Sequence, residues 1–517
     1  MNGDYDAIVI GSGIGGLSCA ATLAKFGHRV LVLEQHSRAG GLSQSFDRKG
    51  FTWDVGLHYI GEVNPREVMR RFLDWLTGGT IDMAPYGPTY EIFHFPDDFT
   101  AFFSSPPEVL ISDLKKLFPG SVSEIDRFFS ILEKTSHIIK MMMALRMLPS
   151  PFFSLYSALM RNSIHRWIER TTQEVLDELI TDPKLRSVLS GQCLDYGSVP
   201  DKGSFGCHAI TMHHFLNGAY YPAGGGHVFA DCFVSIIEIS GGSVRLRSPA
   251  GKVLLNNGKV SGVMLEDGTE LHAKTVVSAA GVLNTIALLP EEIHVTSWAR
   301  EIMSWKVSNY CVILFLGLEG EIREGGAVDS NQWFYNTWNI NDTVWNDPTA
   351  DDSIPLLFIS FPSLKDPLYQ PGPSCRQTGQ VITLINRDAF NSWECSRPGK
   401  RPEDYYRFKS LIEKKMLDAF VQRFPGLAPM IRYTELSTPL TFSYYTRSPR
   451  GSYGLEFTPR QFLSSSVHAR TPIPGLYLAG QDTGTPGIIS AFSSGLKTAA
   501  IIDRRVLWTL LRCSIGL

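Results

Sequence analysis

The sequence predicts an α/β fold, and three sets of stretches predict it. Asp6 to Gln35, DAIVIGSGIGGLSCAATLAKFGHRVLVLEQ, reads as strand, glycine turn, small-residue helix and second strand. Near the other end, Gly475 to Gly480 reads as a buried strand closing in a glycine turn, with a helix from about Ile488. Between them lie the apolar runs Tyr90–Phe95, Tyr310–Leu318, Pro355–Phe361 and Gln380–Ile385, which suggest an antiparallel sheet lining a cavity. Helical segments between Ile111 and Ser190 would form a lid over it. No internal repeat or low-complexity tract is visible.

Composition narrows the classes. The chain has 517 residues, 44% of them hydrophobic, enough to bury more than one core. Lys plus Arg number 48 against 51 Asp plus Glu, a net charge of -3, which argues against a nucleic-acid partner. Eight cysteines are scattered without a C-x-x-C pair or metal-type spacing, so zinc, iron–sulfur and disulfide frameworks are not expected. The first strand begins by Asp6, which leaves no room for a secretory signal before it, and the expected location is the cytosol.

In the N-terminal unit Gly11 permits the tight turn, Gly13 lets the backbone approach a pyrophosphate at the helix N-terminus, and Gly16 allows close helix–strand packing. Glu34, about twenty residues after the turn at the end of the second strand, suits the ribose hydroxyls of NAD or FAD and would repel the 2′-phosphate of NADP. The residues after Glu34 favour FAD: Arg38 offers a cation to the diphosphate, and Gly40-Gly41 lets a loop run close beneath it. In the closing unit Asp482 is placed to bond the ribityl or phosphate part, and the helix after it aims its positive N-terminus there.

Taken together, G-x-G-x-x-G, Glu34 and R-x-G-G resemble the FAD-binding start of the flavin amine oxidase and phytoene desaturase superfamily. Leu216–Asp231 (LNGAYYPAGGGHVFAD), Gly251–Gly281 and Arg470–Ala500 resemble its later segments. DVGLHYIG, Ser204–Gly225 and Thr438–Gly454 carry a likeness to the branch of all-trans-retinol 13,14-reductases and carotenoid isomerases. The resemblance covers most of the chain and is weak from about 65 to 200 and from 282 to 436.

It implies a discontinuous Rossmann-like FAD-binding domain in three parts (1–75, 204–290, 461–517). It also implies an antiparallel-sheet substrate domain (76–110, 291–460) and a helical lid or membrane-facing region (111–203). Gly15, Gln35, Leu42, His58, Ala250, Ala280, Gly480, Gly487 and Ile488 complete the expected cofactor contacts. The implied reaction saturates a C=C bond of a long apolar polyene or isoprenoid; carotenoid desaturation, cis–trans isomerisation and non-catalytic lipid carriage are the alternatives. A single complete fingerprint implies that NAD(P)H, if it is the electron donor, docks transiently.

Saturation needs hydride at one carbon and a proton at its neighbour. The stretch Gly50–Gly61, GFTWDVGLHYIG, would leave the FAD domain beside the flavin ring and present His58 or Tyr59 as proton donor. His208, His213, His214 and Tyr453 are further candidates, histidine being the better acid near neutrality. Asp54 is assigned to structure, and no metal ligands are expected. The apolar stretch Ile138–Met160, broken by Lys140, Arg146, Pro149 and Pro151, reads equally as helices covering the cavity or as a surface grazing a membrane. A homodimer is compatible with the sequence.

Overall fold

The computed structural model describes residues 4–516 apart from 149, 352, 448–450, 463 and 465. Pro149 of the apolar stretch and Ser448 to Arg450 of the Thr438–Gly454 block therefore lie outside the described residues.

Five short parallel strands make the first sheet, in the order Leu476–Leu478, Val276–Ser278, Ala7–Ile10, Val30–Leu33, Ser243–Arg245. Its strands come from three widely separated regions of the chain, which is the discontinuity the resemblance implied. Side chains alternate across a strand, and both faces are covered. Ala7, Val9, Val30 and Val32 pack beneath the helices Ile14–Lys25, Val228–Ile239 and Ile488–Ile502. Ile8, Ile10, Leu31 and Leu33 pack on the meander Ala250–Asn256, Lys259–Leu265, Glu270–His272. The edge strand Ser243–Arg245 has no counterpart among the strands the sequence predicts.

The second sheet has seven strands, in the order Ile431–Ser437, Tyr310–Glu319, Arg376–Ile385, Leu356–Ser360, Asn331–Tyr335, Thr89–Phe95, Phe99–Ser104. Every neighbour pair is antiparallel except Asn331–Tyr335 with Thr89–Phe95, which runs parallel. The run Tyr310–Leu318 is apolar throughout because this sheet is buried on both faces. Cys311, Ile313 and Phe315 enter the core beneath the helical layer, while Val312, Leu314 and Leu316 enter the core beneath the long helix Glu403–Arg423.

The helical layer contains Pro107–Leu117, Val122–Leu145, Thr172–Leu179 and Pro183–Ser190, and also Phe205–Phe215, which packs on Val122–Leu145. That last helix, placed with the dinucleotide domain by sequence, sits instead with the lid. Ile138, Ile139 and Met142 are buried against Ile164 and Ile168, whereas the helix Ser150–Leu159 leaves Phe152, Leu155 and Leu159 more than half exposed. Among the described residues no helix is long and apolar enough to cross a membrane.

The first and last helices meet at glycines. A Cβ on Gly495 would lie 2.0 Å from Ser18 Oγ and 2.3 Å from the Gly15 carbonyl oxygen, and one on Gly15 would lie 2.6 Å from the Gly480 backbone. Gly495→Ala should therefore lower unfolding stability by about 1–3 kcal/mol through overpacking. Gly87→Ala, with open space at its Cβ, should change it by less than about 0.5 kcal/mol; urea unfolding of both variants checks the contrast.

Candidate functional site

A cavity of about 1570 Å³ runs between the two sheets, larger than the few hundred to a thousand Å³ that holds one drug-sized ligand. Its wall includes Gly11, Gly13, Gly15, Glu34, Gln35, Arg38, Gly40, Gly41, Leu42, His58, Ala250, Ala280, Gly480, Asp482, Gly487 and Ile488. Gly16 is packed behind that wall, where its Cβ would meet the Gly11 carbonyl at 2.2 Å.

Several features make this groove fit a dinucleotide. Glu34 is oriented by the turn itself, its Oε2 accepting from Ser12 N at 2.9 Å and Ser12 Oγ at 2.5 Å and its Oε1 from His36 N at 2.8 Å. Gly13, Gly480 and Gly487 have no heavy atom within 4 Å of where a Cβ would stand, so a ligand can approach bare backbone there. Gly487 leads into Ile488–Ile502 without a side-chain cap, leaving the first N–H groups of that helix free for a ligand.

Asp482 Oδ2 accepts from Val282 N at 2.8 Å. Its Oδ1 is buried and makes no hydrogen bond of normal geometry among the described residues, although the Leu455 N–H faces the carboxylate. A ribityl hydroxyl of FAD would satisfy that oxygen. The cation expected at the diphosphate behaves differently: Arg38 donates to Ser45 O at 2.9 Å and pairs with Asp47 at 3.4 Å. Gln35 Nε2 donates to Tyr445 O at 2.9 Å.

Asp54 faces away from the cavity. It accepts from Ser45 Oγ at 2.5 Å, from Gly226 N at 2.9 Å and from the Tyr221 hydroxyl, tying the Ser45–Asp54 hairpin to the Tyr220–Gly226 turn.

The proton-donor candidates separate once their surroundings are seen. His58 lines the cavity beside Phe358, with Nδ1 buried and unpartnered among the described residues. Burial, then the Lys365 cation, pulls its pKa down to about 3. So lowered, His58 is neutral near pH 7 and has only a ring N–H to offer, not the extra proton of an imidazolium. His208 does not reach the cavity: Nε2 donates to Leu189 O at 2.9 Å between Phe205 and Tyr196. His213 lines the wall, but Nδ1 accepts from Lys140 Nζ at 3.0 Å and burial holds it down to about 4. His214 Nε2 accepts from Gly61 N at 2.8 Å. Tyr453 lines the cavity, and burial raises its phenol well above the usual range.

Tyr59 is different. Its ring stacks on Phe215 at 4.2 Å, and its hydroxyl lies 2.5 Å from Glu91 Oε1 and 2.7 Å from Asp195 Oδ2. A phenol has one proton to donate, so the second contact requires a proton on a carboxyl. Burial, then the Glu91 charge, holds Asp195 well above the usual carboxylate range. Burial raises Glu91 to about 7, even though Tyr59, Trp333 Nε1 at 2.9 Å and Gln192 Nε2 at 2.6 Å all donate to it. Tyr59 and Asp195 both line the cavity.

Glu91 and Asp195 are the residues sequence reasoning missed, together with Lys365. The Lys365 amine is buried, burial holding its pKa well below the usual lysine range, and it donates to Asn331 Oδ1 at 2.5 Å, Ser360 Oγ at 2.6 Å and the His58 carbonyl at 3.2 Å. The available signal for Glu91 was a lone acid in the otherwise apolar run YEIFHF. Asp195 and Lys365 had none.

The fold and groove define a Rossmann-type dinucleotide oxidoreductase. Residues 9–76 match the NAD(P)-binding Rossmann-like domain family. The wild-type putrescine oxidase bound to putrescine has the same fold, with a TM-score of 0.63 and 14% identity over 97% of this chain and 99% of that one. The chain is 33% identical to an all-trans-retinol 13,14-reductase of Danio rerio over 97% of this chain and 86% of the relative, and it belongs to that family. A Danio rerio relative named an inactive all-trans-retinol 13,14-reductase is 31% identical over 98% of this chain and 86% of its own length. A chloroplastic prolycopene isomerase of an Oncidium hybrid cultivar is 26% identical over 96% and 83%.

The raised Glu91 has a consequence for stability. Its ordinary value is 4.5 and its folded value about 7, so between these the unfolded chain has released a proton that the folded chain keeps. Stability from this group is therefore lost as pH rises from about 4.5 to about 7, by up to about 3 kcal/mol. Denaturant unfolding across that range should show a flatter pH profile for Glu91→Gln than for the native protein.

Proposed function

We propose that the chain is an FAD-dependent oxidoreductase that saturates a C=C bond of a long apolar polyene. The observation that carries this reading is a single cavity whose wall takes in the dinucleotide groove, apolar side chains such as Phe72, Met143, Met147 and Leu510, and a carboxyl-backed tyrosine. Bound in the groove, FAD would supply two-electron hydride chemistry; NAD(P)H is the proposed source of its electrons.

The chain's own part is to hold and deliver a proton. Tyr59 lines the cavity, and the Phe215 stack fixes its ring. As it gives its proton to the substrate carbon, the Asp195 carboxyl hydrogen-bonded to it supplies the replacement, and Glu91 shares the resulting charge. Trp333 and Gln192 hold Glu91 in place. Phe358, Ile382 and Leu384 beside Tyr59 and Asp195 keep water from competing. Cytoplasmic placement, with the exposed apolar face of Ser150–Leu159 resting on a membrane, is part of the same proposal.

The prolycopene isomerase relative favours a second reading, isomerisation without net redox change. Anaerobic incubation of the reduced FAD-loaded protein with all-trans-retinol, read by mass spectrometry, separates them. Reduction adds two hydrogens, isomerisation leaves the mass unchanged, and a gain of two hydrogens is the expected result. Tyr59→Phe should keep FAD bound and slow turnover by about 10²–10⁴-fold; turnover at the native rate would remove Tyr59 from the mechanism.

A further inference from the structure

A side chamber of about 50 Å³ adjoins the cavity at Tyr59. It shares His58, Tyr59, Asp195 and Tyr453 with the main wall, and Trp333 and Phe358 are among the side chains that close it. One water needs about 10–15 Å³ and a whole ligand hundreds, so the chamber has room for an end group of a few atoms and not for a polyene chain.

The other polar side chains of its wall are engaged. Tyr59 bonds Asp195 Oδ2 at 2.7 Å, Trp333 Nε1 donates to Glu91 at 2.9 Å, Thr383 Oγ1 donates to Leu384 O at 3.5 Å, and the Tyr453 hydroxyl faces the Cys311 thiol. His58 is the exception: its Nδ1 is buried without a partner, and no described residue hydrogen-bonds its Nε2. The residue is nonetheless held in place. Its carbonyl accepts from the Tyr86 hydroxyl and from Lys365 at 3.2 Å, and its ring meets the Phe358 ring edge-on at 5.1 Å.

A polar nitrogen in such surroundings is costly until a ligand meets it. A neutral imidazole has one N–H and one lone pair, and a hydroxyl both donates and accepts, so a hydroxyl suits Nε2 in either tautomer. A hydrocarbon end would leave the nitrogen without a partner. An anionic end is disfavoured beside Asp195 and Glu91, where burial already opposes negative charge.

We propose that His58 binds the hydroxyl of a polyene alcohol in this chamber, so that the oxygen end of the substrate is seated beside Tyr59 and the rest of the chain extends into the main cavity. This rests on the polyene-reductase reading and names the residue that orients its substrate. In all-trans-retinol the terminal C=C begins at the carbon next to the one bearing the hydroxyl, so this seating puts that bond, and none further along the chain, next to Tyr59.

The test is equilibrium binding to the FAD-loaded protein at pH 7, followed by tryptophan fluorescence. The probes are all-trans-retinol and the hydrocarbon with methyl in place of its hydroxymethyl group, both delivered from the same detergent. The native protein should bind the alcohol about tenfold tighter than the hydrocarbon. His58→Phe should weaken the alcohol about tenfold and the hydrocarbon by less than about twofold, and His58→Gln, which keeps a donor and an acceptor, should restore most of the preference. FAD content, read from flavin absorbance, should be the same in all three. Equal affinity of the native protein for the two probes, a comparison that needs no variant, would overturn the proposal and leave the polyene reading standing. Equal weakening of both probes by His58→Phe, or loss of FAD from both variants, would also overturn it. If neither probe binds, the polyene reading fails and the proposal with it.

Discussion

The close approach of the first and last helices is the constraint on which the rest depends. Gly15, Gly480 and Gly495 let Ile14–Lys25 and Ile488–Ile502 meet with backbone nearly touching backbone. That contact pulls the C-terminal strand to the edge of a sheet begun some 470 residues earlier, a span read from the strands Ala7–Ile10 and Leu476–Leu478. It also brings two helix N-termini to the same groove, where partial positive charge and free N–H groups suit a diphosphate and a flavin ring. Larger residues at these positions would separate the helices and widen the groove at once.

The second sheet answers a different need. With apolar cover on both faces, it can carry Glu91 deep inside, and the parallel pairing of Asn331–Tyr335 with Thr89–Phe95 sets Trp333 beside it. Burial disfavours a charged carboxyl, and it holds Glu91 and Asp195 above the usual carboxylate range despite the three donors on Glu91, so in the proposed mechanism a proton is shared among Glu91, Tyr59 and Asp195. The same burial that lowers His58 raises both carboxyls, which suits the proposed role of this cluster as a proton store. Family membership alone would not settle activity, since the family includes a relative named inactive; the cluster and the groove together give the chemistry its physical basis.

Much of the fold was legible because its signals are local. The glycine turn, the acid at the end of the second strand and the closing strand–turn–helix each lie within a few dozen residues, and the doubly covered strands announce themselves as apolar runs. The edge strand Ser243–Arg245 was not legible, being three residues long and only partly buried. The parallel pair inside an otherwise antiparallel sheet was hidden for another reason: it joins segments some 240 residues apart. The site divides the same way. Backbone cradles around Gly13, Gly480 and Gly487 come from glycine patterns, but the value of His58 as an acid depends on burial, and the partnership of Tyr59 with Glu91 and Asp195 on contacts 32 and 136 residues away. Local pattern cannot report either.

Infrared difference spectroscopy tests the central claim, that a carboxyl proton is held at the cavity wall, most directly. In the native protein at pH 7, a C=O stretch of a protonated carboxylic acid should be present, shift in deuterium oxide, and disappear or move in Asp195→Asn. Carboxylate bands alone at that pH, or a protonated-carboxyl band indifferent to both Asp195→Asn and Glu91→Gln, would contradict the account.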